Sequence, residues 1–198
     1  MSRLLKIAIA VVLALSLAVI VYSAVRLWNL TLSEEARTGL PVYYEVGEFA
    51  FTDSQGKLFT NKDLAGKVWV AEFFFTSCPG ICPVMMTQMS RLVEAYKDYP
   101  EVHFVGFSVD PQTDTPERMA EYLTRYGGNP ERWHLLTGPI ELVQRLSEED
   151  FKLGSVNTPA EHSSRFALVD QKGRIRGYYD GLDPASVDDL EAAIPALL

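Results

Sequence analysis

Cysteine and histidine are scarce: the chain of 198 residues has two of the first, Cys78 and Cys82, and three of the second, His103, His134 and His162. A bridge between Cys78 and Cys82 closes so small a loop that it is a poor staple for a domain of this size. A structural zinc site takes four tight ligands, usually on a Cys-x-x-Cys frame, and that frame is missing. Basic residues are also in deficit. Beyond Arg26 there are 15 Lys and Arg against 26 Asp and Glu, a formal charge of −11. Such a surface disfavours nucleic acid and anionic lipid, and suits cationic partners such as metal ions or basic protein patches. No repeat or low-complexity tract interrupts the chain, so the length implies one ordinary domain with an appendage.

The appendage is N-terminal. Ile7 to Val25 is a run of 19 residues without charge. At helical rise it spans about 28 Å, close to the ~30 Å hydrocarbon core of a bilayer. Lys6 and Arg26 bracket it, and Trp28 stands where an interfacial aromatic belongs. A cleaved signal peptide is the alternative, but the best cuts, after Ser23 or Ala24, have Val21 or Tyr22 three positions from the cut. Arg3 and Lys6 keep residues 1–6 in the cytoplasm by the positive-inside rule. The expected layout is a cytoplasmic tail (1–6), a transmembrane anchor (7–28), a polar tether (29–40) and an extracytoplasmic domain (41–198), on the periplasmic side of a bacterial cell membrane.

Hydropathy gives the domain's order. Phe49 and Phe51, the turn Asp53-Ser54-Gln55-Gly56, then Leu58 and Phe59 read as a hairpin. Val68–Phe75 is almost continuously apolar, as in a central strand buried on both faces, with Glu72 the exception. A helix follows from Pro83 to about Tyr99, with Met85, Met89, Leu92, Val93 and Tyr96 on one stripe. Further strands are expected at 102–109, 133–136, 165–169 and 175–179, with helices from Pro116, Pro139 and Pro184. This alternation is α/β: a thioredoxin-like fold with added β-hairpins, its sheet mostly parallel and covered by helices on both faces.

Cys78-Pro79-Gly80-Ile81-Cys82-Pro83 follows the central strand directly. Ligands gather at such strand ends, and the start of a helix favours a thiolate at or near Cys82. From the residues alone, three uses stay open. They are a structural disulfide, a thiol–disulfide exchange pair, and two soft ligands for Cu(I) or zinc. Thioredoxin-type enzymes have two residues between their cysteines, and Trp before the first; here there are three, and Ser77. A peroxiredoxin is further off, because Phe75 stands where its Thr belongs. His103 and His134 lie within strands and read as packing. His162 ends a loop before the strand at Arg165 and is the histidine expected opposite the cysteines. Met85 and Met89 read as core, whereas Met86 lies off the stripe and is a candidate for transient metal contact. Asp110 and Asp114 are either a turn and a helix cap or functional residues.

The segment Phe73-Phe74-Phe75-Thr76-Ser77-Cys78-Pro79-Gly80-Ile81-Cys82-Pro83 resembles the signature of the Sco/SenC copper chaperone family. Ser108-Val109-Asp110-Pro111 with Asp114-Thr115-Pro116, then Leu136-Thr137-Gly138, then Glu161-His162-Ser163, resemble its later motifs in order. The resemblance implies that Cys78, Cys82 and His162 bind copper as Cu(I) or Cu(II). It implies delivery to the binuclear copper centre of cytochrome c oxidase, with the oxidase's copper-bearing subunit as partner. Another copper donor protein or a thioredoxin-like reductant is a further partner. The expected role is binding and transfer rather than enzymatic turnover. The alternative is a thiol–disulfide reductase or redox sensor using the same pair.

Overall fold

A computed structural model describes residues 2–156 and 163–198. His162 and Glu161 lie outside the described residues. Two compact units divide the chain at Gly39.

The first unit is one helix, α1 (Arg3–Thr38). Its segment Leu5–Trp28 is long and apolar enough to cross a membrane, with mean hydropathy 2.7. Leu13, Leu17 and Ile20 are exposed, as on a helix apolar all round. Ser16 and Ser23 donate their hydroxyls to the carbonyls of Val12 and Val19 four residues back, so neither burdens an apolar surrounding with an unpaired polar group. The helix continues to Thr38, through the stretch where a tether was expected from Asn29.

Among the described residues, the second unit has seven strands: β1 (Ala50–Asp53), β2 (Leu58–Thr60), β3 (Val68–Phe74), β4 (Val102–Ser108), β5 (Trp133–Thr137), β6 (Arg165–Val169) and β7 (Ile175–Asp180). They form one sheet in the order β2-β1-β5-β4-β3-β6-β7. The pairs β3–β4 and β4–β5 are parallel, and the other four are antiparallel. The expectation of a mostly parallel sheet therefore needs correcting. Parallel pairing is confined to β3, β4 and β5; β1 and β6 run against the other five strands, and the short β1–β2 and β6–β7 connections allow hairpins but no crossover. Both hairpins use the same device. Asp53 accepts the backbone N–H groups of Gln55 and Lys57, and Asp170 those of Lys172 and Arg174. Gly56 (φ 75°) and Gly173 (φ 77°) supply the left-handed turn residue.

Strands β3, β4 and β5 are buried along their whole length, so both of their faces carry apolar side chains. On one face Val68, Val70 and Phe74 pack with Met85, Met89 and Leu92 of α2 (Ile81–Ala95). Met119, Tyr122 and Leu123 of α3 (Pro116–Arg125) and Val187 and Leu190 of α5 (Pro184–Ala193) complete that layer. On the other face Trp69, Ala71 and Phe73 meet Phe107, Phe151, Leu146, and Val143 of α4 (Ile140–Arg145). Each such fully buried side chain contributes roughly 1.5–3 kcal/mol. Helix α4 passes into a π-helical turn at Leu146–Asp150.

One sequence reading changes. Met86 is fully buried in the same cluster as Met85 and Met89, because α2 is covered by α5 as well as by the sheet. It is therefore core, not an exposed thioether. The start of the domain is also tied down from an unforeseen place. Buried Arg176 donates to the carbonyls of Leu40 and Pro41 and to Asp170, at 2.6, 2.8 and 2.9 Å.

Candidate functional site

The cysteine segment leaves the C-terminal end of β3, an interior strand of the sheet flanked by β4 and β6. Cys78 N–H donates to the Phe75 carbonyl at 3.2 Å, closing a tight turn before α2. The helix starts at Ile81 with Gly80 as its N-cap, two residues earlier than proline placement suggested. Cys82 thus sits inside the first turn, and Pro83 takes a first-turn position where its missing N–H costs nothing. Cys82 is 1% exposed, whereas Cys78 is half-buried. The two cysteines are unbridged.

The thiols differ in their electrostatics. Partial burial works to raise the Cys78 thiol. The N–H groups of Cys82 and Gly80, the Cys82 thiol and the Ile81 N–H outweigh it and hold Cys78 below the ordinary range. Cys82 goes the other way. Burial pushes it up, the bond and charge of Cys78 and the charge of Glu72 add to that, and a hydrogen bond from the Phe75 backbone opposes it. The pair is therefore an accessible sulfur that ionises more readily than an ordinary thiol beside a buried one that ionises less readily.

Asp114, fully buried, reaches this segment from the β4–α3 loop. Its carboxyl accepts from Thr76 N–H (3.1 and 3.3 Å), from the Thr76 hydroxyl (2.5 Å) and from the Ser108 hydroxyl (2.6 Å). Thr76 Oγ1 in turn accepts from Arg118 Nε at 2.7 Å, and Ser108 Oγ from Asp110 N–H at 3.1 Å. The helix cap is Thr115, whose hydroxyl accepts from Arg118 N–H, so Asp114 does different work from a cap. Glu72 is 1% exposed on the same sheet face as Cys82, and its Oε1 has no hydrogen-bond partner among the described residues. Burial pushes its carboxyl up to about 8, so it is mostly protonated at neutral pH.

The sequence missed Thr76, Ser108 and Arg118 as site neighbours. A loop threonine, a serine ending a strand and an arginine on a helix carry no signal of their own, although Asp114 before Thr115-Pro116 offered one. His103 and His134 lie at the other end of the parallel strands, each the second residue of its strand. Their Nδ1 and Nε2 are hydrogen-bonded at 2.9 Å. No group of three His, Cys, Asp or Glu side chains suited to a metal occurs among the described residues. The described part of the site is therefore the two sulfurs. Soft sulfur donors, one of them with its thiol held below the ordinary range, fit Cu(I) in donor chemistry.

The SCO1/SenC family model matches residues 40–197. The SCO1 protein homolog of Bacillus subtilis (strain 168) is 32% identical over 156 residues, covering 76% of this chain and 81% of that protein. Among solved structures, that of BsSco, concerned with a disulfide switch in a member of the Sco family of cytochrome c oxidase assembly proteins, has TM-score 0.70 and 31% identity. It covers 78% of this chain and 93% of that one. Bradyrhizobium japonicum ScoI with copper bound has TM-score 0.65 and 26% identity, over 78% and 99%. A thioredoxin-like domain, a cysteine pair at the end of its central strand and a family match across the whole domain lead to one assignment: this chain belongs to the SCO1/SenC family.

Proposed function

We propose that the protein is a membrane-anchored copper chaperone that delivers copper to the binuclear centre of cytochrome c oxidase. Cys78, Cys82 and His162 hold the ion. The observation that carries this reading is the cysteine pair, with one accessible, low thiol beside a buried one at a strand end. Copper is the cargo. Two thiolates and one imidazole leave coordination positions open, so a receiving thiolate enters before the donor releases, whereas a closed four-ligand cage favours retention. The copper-bound ScoI structure and the oxidase-assembly description of BsSco support the reading by likeness.

The Leu5–Trp28 segment anchors the domain, with the N-terminus cytoplasmic and the domain extracytoplasmic. The −11 charge steers a basic patch on the oxidase's copper-bearing subunit or on an upstream copper donor, and the anchor keeps the encounter at the membrane. The test is a deletion strain grown with and without added copper. Oxidase activity should fall and copper should partly restore it. Normal oxidase in the deletion sinks the assembly role.

The thiol asymmetry also favours a second reading, thiol–disulfide reduction or redox sensing with a thioredoxin-like reductant. His162 separates the two, since metal binding uses it and exchange does not. Rescue of the deletion by His162→Ala but not by Cys82→Ser, at limiting copper, selects thiol exchange.

A further inference from the structure

Cys82 has little freedom: it lies in the first turn of α2 and is 1% exposed. Any change in the distance between the two sulfurs must come from Cys78, which sits in the loop between β3 and α2. That loop is held two residues upstream. Thr76 gives both its backbone N–H and its hydroxyl to Asp114, and takes a bond from Arg118 Nε. Asp114 is held in turn by Ser108 at the end of β4, and the Val109 N–H donates to the Phe74 carbonyl at 2.9 Å. Every hydroxyl in this network donates once and accepts once, in one direction: Arg118 to Thr76 to Asp114, and Asp110 N–H to Ser108 to Asp114.

We propose that Asp114, acting through Thr76, is a positioning residue for Cys78. The network fixes the entry to the cysteine loop and leaves Ser77–Gly80 as the segment that adjusts. It therefore holds Cys78 close to the geometry shared by the metal-bound and bridged states. Groups that orient a ligand from behind lose 10–100-fold in affinity when removed, and a tether released at one end lowers the effective concentration of one sulfur at the other. The loosened dithiol gains more freedom than the bridged form, so reduction becomes easier.

The first measurement is the equilibrium of the domain with dithiothreitol. Two electrons and two protons pass from the reagent to the Cys78–Cys82 disulfide; the protein yields two thiols and the reagent closes to its cyclic disulfide. Thr76→Val keeps the shape and loses the hydroxyl bonds. It should move this equilibrium about tenfold toward the dithiol, a rise of roughly 30 mV in potential. Asp114→Asn should move it further. Thr76→Ser restores the hydroxyl and should return the potential to the parent value. Arg118→Gln, on an exposed residue that reaches Asp114 through Thr76, should fall between parent and Thr76→Val. The second measurement is Cu(I) affinity by chelator competition, which should drop about tenfold in Thr76→Val. This arm rests on the copper reading, and a parent domain that binds no copper sinks that reading while the potential still tests positioning. A lower melting temperature with unchanged potential in Thr76→Val overturns the proposal, as does failure of Thr76→Ser to restore it. Should Asp114→Asn fail to fold, the two Thr76 variants decide.

Discussion

The two ends of the parallel strands each carry a pair of side chains suited to metals, and the pairs are arranged in opposite ways. At the C-terminal end Cys78 and Cys82 face the start of a helix, whose N–H groups favour negative charge on the outer sulfur. At the N-terminal end His103 and His134 spend their facing nitrogens on each other at 2.9 Å, under the ring of Phe59. Donor type alone would have flagged both pairs. What separates them is how the surroundings treat charge: burial disfavours the charged imidazoles, whereas backbone N–H groups favour negative charge on Cys78.

Protons give a second contrast. Burial pushes Glu72, near the cysteine end, up to about 8, and lowers both histidines to about 4. For His103, Lys67 and Arg132 add to the lowering and a bond to the Pro100 carbonyl opposes it. For His134, the charge of His103 adds, and Asp53 and Asp63 oppose. The histidines bind fewer protons folded than unfolded, so their contribution is complete above about pH 6.5 and is lost as pH falls toward 4. Glu72 keeps its proton when folded, so its contribution is complete below about pH 4.5 and is lost as pH rises through 8.

The largest effect expected is at the cysteines. Cys82→Ser should abolish retention of Cu(I) against a competing chelator, while a His103→Gln, His134→Gln double variant retains it at pH 7. Copper lost equally from both would erase the contrast between the ends. Next comes Glu72→Gln, which removes a buried ionisation and keeps the shape. It should stabilise the domain at pH 8 by up to about 4 kcal/mol and leave it nearly unchanged below pH 4.5, read by urea unfolding at both pH values. Equal stability of parent and variant at pH 8 would mean that Glu72 finds a partner in solution. Third, the parent should lose roughly 3 kcal/mol or more between pH 6.5 and 4 through the histidine pair, and the double variant should show a shallower slope over that window. A parallel slope would assign the acid loss elsewhere. The smallest effect is Thr115→Ala at the α3 cap, about 1 kcal/mol of stability by thermal unfolding, with copper binding unchanged.

Local chemistry made much of this legible in the sequence. Both hairpins were readable because Asp53 and Asp170 cap turns that end in glycine, and β3 because its faces are both apolar. The cysteine pair was readable because it follows β3 at once. Three features were not. The sheet reads as mostly parallel until the antiparallel pairings of β1 with β5 and β6 with β3 are known, and those are long-range. Met86 looks open on a helical wheel that assumes one buried face, but α2 is covered on two sides. Thr76, Ser108 and Asp114 meet only because β3 and β4 end side by side, 38 residues separating Thr76 from Asp114. His162 was legible as a motif and lies outside the described residues.

The most direct test of the central claim is a Cu(I) and Cu(II) titration of the reduced domain, residues 40–198, as parent, Cys82→Ser and His162→Ala. The parent should bind one ion of either state, and Cys82→Ser should bind neither tightly. His162→Ala should keep Cu(I), which two thiolates hold, and lose more of its Cu(II) affinity, because Cu(II) prefers nitrogen in a tetragonal set. Copper binding by Cys82→Ser equal to the parent, or a parent that binds no copper once reduced, would contradict it.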